Sequence, residues 1–570
     1  MRRSLALMSM GAILIITIIT AITIFYTQNS SYGKAPDAGL HDTIPPTVQT
    51  TDKTLQSSSV PVLSAGKERR RLVIALGDWG QPSPYSFYPR GPGYVITSFL
   101  FDTLVWKNEN ATIPWLAEGW EAKENGTTWI FHLRRGTYWH DGAELTADDV
   151  VFTIKYMLKH GWHWKNINPD LIEDVEAPDN YTVIIRLKKP YIFFLEDYAS
   201  TIFILPRHVW SRVADPYSYK GADALIGSGP YKLKSYQPEK AYVLDAFQDY
   251  WAGRPAYDEI VILASGLFSP QRAAEALLSG EADTAVFVGK AWRLVKQLQG
   301  RVKGLKVEKG PMYWVLYLDF NHKRWPTNST VFRRAVAYAL NLTELVMKAV
   351  GSLDAALPGS PGYIPPYSWF YNPNVPRYPY DPAMAKELLD RLGIIDSNGD
   401  GYREAPDGKP LRLRIVTLRS YVQEATIVKE QLARVGLCVD VKAVASYSEL
   451  DAIVSREMYD LQINGHGAVG NTPTAFAWYF TGRFGTPWVN ETYKRLVDQL
   501  LSAQSVEEAR RAANELQRVI AEQLPRIALY YPYIYVVSRP GSPDWFFTAG
   551  GIDGGIPLPY NKLALLERRD

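Results

Sequence analysis

One run in the sequence has the residue types and spacing of a cation site. Asp396-Ser397-Asn398-Gly399-Asp400-Gly401-Tyr402 opens like an EF-hand loop, D-x-N-x-D-G, and Asp407 stands at its twelfth position. Oxygens of Asp396, Asn398, Asp400 and Asp407, with the Tyr402 carbonyl, would suit a structural Ca²⁺, and Gly401 allows the sharp turn. Arg403 at the eighth position, the short Asp407 and the helix-blocking Pro406 depart from that pattern. Without an ion the same residues make an Asx- and Gly-rich surface turn. A second run, Gly465-His466-Gly467-Ala468-Val469-Gly470, spells G-x-G-x-x-G after the strand-like stretch 459–463. A dinucleotide site needs a helix opening at those glycines, and Asn471-Thr472-Pro473 interrupts one. His140-Asp141 has the types of a general-base pair, but Asp141-Gly142 reads more simply as a tight turn. No P-loop, H-E-x-x-H or G-x-S-x-G occurs, so ATP hydrolysis would belong to a separate subunit.

The elements that position these residues are mixed. Residues 129–133 read as a strand, Asp141-Gly142 turns, and a helix opens at Thr146 with Asp149 three residues on, as in a capping box. Ser505 and Glu508 form a second capping box, predicting a helix over 505–523. Residues 71–76 and 181–187 read as strands. The pattern predicts a mixed α/β chain with several lobes, and 570 residues are too many for one core.

Composition narrows the function classes. A net charge of +3 without a long basic run argues against a nucleic-acid binder. The 17 Trp, 36 Tyr and 20 Phe suit a cleft for peptides or sugars, whose flat or apolar faces stack on rings. The single cysteine, Cys438, excludes an intramolecular disulfide and a CxxC pair, and is expected to be a buried inert thiol. Arg2 and Arg3 precede an uncharged run over 5–26 that is long enough to span a bilayer. Residues 1–26 are expected to be an N-terminal membrane anchor or signal peptide, with the rest of the chain on the outer face. Residues 27–66, rich in Ser, Thr and Pro, read as a tether. N-x-[ST] sequons stand at Asn29, Asn110, Asn125, Asn180, Asn328, Asn341 and Asn490.

The stretch 131–156, FHLRRGTYWHDGAELTADDVVFTIKY, closely resembles a signature of the extracytoplasmic solute-binding proteins of ABC importers, the peptide/nickel-type family 5. Further segments resemble that family in the same order: Ile113-Pro114-Trp115-Leu116-Ala117, Gly227-Ser228-Gly229-Pro230-Tyr231, Asp249-Tyr250-Trp251, Gly280-Glu281-Ala282-Asp283 and Arg333-Arg334-Ala335. The resemblance runs over about 71–540. It implies a three-lobed, periplasmic-binding-protein-like fold of mixed α/β class (class II, cluster C type) that closes by a hinge over its ligand. The lobes implied are 67–100, 224–308 and 531–570 for lobe I, 101–223 for lobe II, and 309–530 for lobe III. The crossovers between lobes I and III would fall near 311–318 and 524–531.

The resemblance also places the site. Gly465, His466 and Gly467 would lie in the loop whose backbone pairs with an extended ligand. Val469 would stand where peptide binders of the family carry an acid for the ligand's ammonium. No carboxylate lies between Gly465 and Phe480, which favours a neutral ligand such as an oligosaccharide or a capped peptide. Asp78 and Trp79 would face the cleft after the first strand, and Trp314 at the first crossover would stack on ligand, with Trp369 and Trp478 as further candidates. The function implied is capture of oligopeptides or oligosaccharides by a monomer that passes them to permease subunits, without covalent chemistry or a required cofactor. Two rivals are a secreted glycoside hydrolase, which would need two carboxylates roughly 5–10 Å apart across one cleft, and a surface receptor without transport.

Overall fold

A computed structural model describes residues 70–567, apart from 86–91, 162–168, 267–268, 468, 471, 481–486, 549 and 552–558. The anchor or signal segment 1–26 and the tether 27–66 lie outside the described residues. Among those described, no helix is long and apolar enough to cross a membrane.

The strands Arg71–Ala75, Thr284–Val288, Glu259–Leu263, Ala241–Ala246 and Tyr231–Gln237 make one half of a twelve-stranded sheet. Val315–Phe320, Leu461–His466, Arg412–Leu418 and Cys438–Val444 make the other half, and the strands Lys306–Pro311 and Ala356–Pro358 complete the twelve by pairing with Arg526–Ser538. Arg526–Ser538 belongs to both. Its first residues pair with Val315–Phe320, and its last pair with Thr284–Val288 on one side and Lys306–Pro311 on the other. Pro532 stands where the partners change, between Tyr530 (paired with Leu316) and Ile534 (paired with Val288). A proline has no N–H to give a ladder, so it fits at such a switch point. The chain first passes between the halves through Met312-Tyr313-Trp314 and returns along Arg526–Ser538. Near-continuous apolar runs such as Val315–Phe320, buried at every position, follow from helices covering the sheet.

A separate four-stranded antiparallel sheet, ordered Ala117–Lys123, Thr128–Leu133, Thr182–Leu187, Ile172–Asp179, carries the helix Ala147–His160. Thr146 N–H donates to Asp149 Oδ2 at 2.9 Å, as the capping box requires. His140 joins this unit to the first half of the sheet. Gly227 N–H donates to His140 Nδ1 at 3.1 Å, and His140 Nε2 lies 3.0 Å from the Gly229 carbonyl, so the ring is neutral with its proton on Nε2. A Cβ on Gly227 would stand 1.9 Å from the Leu100 carbonyl oxygen, so only glycine lets these backbones approach. Asp141 pairs instead with His208, at 2.7 Å. His140 is therefore a clamp between units, while Asp141 closes a contact within the inserted unit, in keeping with its turn chemistry.

Cys438 departs from expectation. It is half-buried rather than buried, because it opens an edge strand, Cys438–Val444, in which only Val439 and Val444 are buried.

Candidate functional site

Arg71–Ala75 is parallel to Thr284–Val288, and Arg412–Leu418 is parallel to Leu461–His466. The segments that follow these four strands, at 76–80, 289–291, 419–421 and just after His466, come from the carboxyl ends of strands in both halves, where open α/β sheets bind ligands. The first crossover, Tyr313-Trp314, lies among them. Tyr313 adopts a left-handed φ of 46°, uncommon for a non-glycine residue and typical of constrained sites.

Trp314 is half-buried and lies across the end of Leu461–His466. A Cβ on Gly465 would meet its Nε1 at 2.4 Å, and one on Gly467 would meet its Cε3 at 3.4 Å. Gly465 and His466 are not in a loop. They are the last residues of the strand, paired with Leu316 and Val315. The glycine serves the indole rather than a helix turn. The chain then bends back, and Val469 N–H donates to the Tyr313 carbonyl at 3.0 Å.

The structure brings Trp314, Gly465, His466, Gly467, Val469 and Trp478 into one contiguous group. Within it His466, Val469 and Trp478 are buried. His466 Nδ1 donates to the Gly467 carbonyl at 2.9 Å, so Nε2 accepts the Tyr363 hydroxyl at 2.8 Å. Trp478 packs edge-on against the same imidazole, with centroids 5.5 Å apart. The Val469 side chain belongs to the large apolar core.

Asp78 and Trp79 stand in the other half. Asp78 accepts the Tyr236 and Tyr242 hydroxyls at 2.9 and 2.7 Å and the Gly80 N–H at 2.8 Å. Burial opposes its ionisation, but the N–H groups of Glu239 and Gly80 and the two hydroxyls outweigh burial and hold the carboxyl below its usual range. Asp78 thus fixes its own loop, and half-buried Trp79 packs against the core beside it. Trp369 is half-exposed, with the Arg510 guanidinium 5.7 Å from its ring centroid and Phe370 edge-on at 5.2 Å.

The acidic run is a separate surface turn. Asp396 accepts the N–H groups of Gly399 and Gly401 at 2.7 and 3.0 Å, Asn398 that of Asp400, and Asp400 that of Tyr402. Asp407 pairs with Lys409 at 2.7 Å. Glu404, not singled out from the sequence, is buried and accepts Ser397 Oγ at 2.7 Å and Asn398 Nδ2 at 3.1 Å. Among the described residues no three His, Cys, Asp or Glu side chains are grouped to hold a metal.

Sequence reasoning missed several residues at these strand ends. Lys290 follows Thr284–Val288 and lies 2.8 Å from Glu424 of the other half. Tyr421 lies beside Glu424, Tyr447 and Trp314. Asp197, from the inserted unit, accepts Thr472 and Thr474 hydroxyls at 3.3 and 3.0 Å, holding the segment after the glycines. The carboxyl ends of the apolar run 284–288 and of the strand 412–418, apolar mainly in its second half, were the signal for the first two.

A two-part sheet crossed twice by the chain, with candidate side chains at the strand ends between the parts, is the architecture of an extracellular solute-binding protein. The solved structure of the oligopeptide-binding protein AppA from Bacillus subtilis, in complex with a nonapeptide, has this fold: TM-score 0.70, 23% identity, covering 85% of this chain and 98% of that one. So has a mannohexaose-bound periplasmic oligopeptide-binding protein from Thermotoga maritima, with TM-score 0.65, 24% identity, and coverage of 84% and 93%. In sequence, AppA of B. subtilis strain 168 is 27% identical over 496 residues, 84% of this chain and 89% of the relative. The model of the bacterial extracellular solute-binding proteins, family 5 (middle), matches residues 111–488, and the chain belongs to that family.

Proposed function

We propose that this protein is the solute-capturing subunit of an ABC importer, taking an oligopeptide or oligosaccharide between the two halves of its sheet and presenting it to a membrane permease. Family membership supports the class, and the oligopeptide-binding relative supports the peptide. The observation that carries the site is Trp314, whose half-buried indole lies over glycines at a strand end between the halves. A ring on a backbone without side chains offers a flat face to an extended chain or a sugar. Hinge movement about Tyr313-Trp314 and Arg526–Ser538 would close the halves over the solute. The reading assigns the protein no covalent step. It takes the run 5–26 as the anchor or signal peptide that brings the rest of the chain to the outer face of the membrane.

A thermal-unfolding screen tests this. Ligand that binds only the folded state must raise the melting temperature, by about 2.7 kcal/mol of added stability at a hundred times Kd. Dipeptides to decapeptides and oligosaccharides form the panel. A reproducible rise with either class is the expected outcome; no rise with any member would sink the reading. A rise with sugars alone would favour the saccharide, as the acid-free stretch 465–480 does.

A further inference from the structure

Glu424, in the first turn of the helix Val422–Ala433, is fully buried. Its Oε1 accepts the Tyr530 hydroxyl at 2.8 Å and lies 2.8 Å from Lys290 Nζ. Its Oε2 has no hydrogen-bond partner among the described residues. Tyr530 belongs to the strand shared by both halves, whereas Lys290 comes from the opposite half. The Lys290 side chain is 42% exposed and that of Glu424 is 0% exposed. The carboxylate is thus reached from the side of the other half, by a flexible chain that keeps much of its contact with water. Tyr421, beside Glu424, also neighbours Trp314 and Tyr447, so this carboxylate and the indole over Gly465 belong to one wall.

A buried carboxylate demands a cation, and losing its partner is costly. Packing does not dictate which cation. Lys290 is half-exposed, and its strongly hydrated ammonium can return to water. A ligand ammonium or guanidinium that replaces it adds no net charge to the groove and can also donate to the vacant Oε2, a charge-assisted bond. The segment 465–480 offers no carboxylate to such a group.

We propose that Glu424 is a ligand-binding residue that receives the positively charged group of an oligopeptide, exchanging Lys290 for it. The proposal rests on the reading of the groove between the halves as a solute site that admits peptides.

The test is calorimetric titration of the full chain with trilysine, trialanine and N-acetyl-trialanine amide, a peptide without a cation. Wild type is expected to bind trilysine at least about tenfold more tightly than the uncharged peptide. Glu424→Gln, which keeps the shape and an acceptor for Tyr530, is expected to bring that ratio close to one. Lys290→Met, which removes the competing cation, is expected to tighten trilysine by about threefold or more. Trialanine distinguishes a terminal ammonium from lysine side chains as the group received. A ratio unchanged in Glu424→Gln, or a ratio near one in wild type, overturns the assignment while leaving peptide binding intact. If Glu424→Gln does not fold, unchanged or weaker trilysine binding by Lys290→Met overturns it. If wild type binds mannohexaose and none of the peptides, the peptide reading itself has failed and the assignment falls with it.

Discussion

Arg526 and Asp319 form an ion pair in which both side chains are 1% exposed, with Nε 2.8 Å from Oδ1. They are paired across two strands at the start of the segment shared by both halves of the sheet. Arg526 Nη1 also donates to the Tyr479 carbonyl at 2.7 Å, and the guanidinium lies 4.7 Å from the Tyr317 ring centroid. Removing one partner leaves a buried charge alone. Arg526→Met is expected to cost about 3–5 kcal/mol, read from the urea midpoint. The double variant Arg526→Met/Asp319→Leu should lie nearer wild type than the single one. A single variant within about 1 kcal/mol of wild type would show that the pair is not isolated from water.

Trp314 and Gly465 make a steric pair. Gly465→Ala puts a methyl group 2.4 Å from the indole Nε1, so the ring must move. The expected stability loss is about 1–3 kcal/mol, as for overpacking. If the indole is the platform for solute, affinity for whichever solute stabilises wild type should fall by about tenfold or more. Trp314→Ala should lose the same affinity without the steric penalty. Calorimetry on both variants checks this, and unchanged affinity in both would remove Trp314 from the site.

His140 supplies a pH dependence. Burial first, then the nearby Lys232 ammonium, lowers its pKa to about 4 against the hydrogen bond to Gly229 and the charge of Asp102. The unfolded chain takes up a proton near pH 6.5, while the folded chain resists until about pH 4. This contribution is fully present above pH 6.5 and is lost as pH falls through that window, to a total of roughly 3 kcal/mol. His322, buried under the influence of Arg333 and Arg526 and lowered to about 3, acts in the same direction. Stability measured by urea at pH 7, 5.5 and 4.5 should fall, and His140→Gln should flatten the fall by about half. An equal slope in His140→Gln would assign the effect elsewhere.

Much of the local structure was legible because its causes are local. The capping residues Thr146 and Ser505 foretold Ala147–His160 and Val506–Gln523. Runs of aromatic and β-branched residues foretold Thr128–Leu133 and Thr182–Leu187. The strand at 459–463 was misplaced by a few residues. Leu461–His466 runs through Gly465, because tertiary pairing with Val315–Phe320 overrides the glycine's preference for turns. The site itself was half legible. Trp314 and the glycines stood out by type, but nothing near Glu424 in sequence points to Lys290, and nothing near Asp319 points to Arg526. Such pairs are set by the crossings of the chain between the halves.

The same long-range logic governs the C-terminal segment. Lys562 is fully buried, paired with Asp102, and its ammonium lies 4.2 Å from the Trp106 ring centroid and 5.1 Å from that of Trp115. Asp102 also accepts the Trp115 indole N–H at 2.7 Å, the Tyr250 hydroxyl at 3.1 Å and the Trp251 indole N–H at 3.3 Å. Beside it, Asn561 accepts the Trp106 indole N–H at 2.9 Å. These partners come from the motifs Ile113-Pro114-Trp115 and Asp249-Tyr250-Trp251, which therefore converge on one carboxylate that the chain's end neutralises. Lys562→Met keeps the volume and removes the charge, leaving Asp102 buried with neutral donors only. The expected cost is about 3–5 kcal/mol. Lys562→Met/Asp102→Asn should recover part of it, since the Trp115 and Tyr250 donors, both on Oδ1, suit an amide oxygen, while the longer Trp251 contact on Oδ2 is given up. Solute affinity should be unchanged in the double variant, because the cluster lies in the inserted unit and its support rather than at the strand ends between the halves. Urea unfolding and calorimetry on both variants check these outcomes. A loss of affinity in a double variant of recovered stability would mean that the C-terminal segment acts on the solute site.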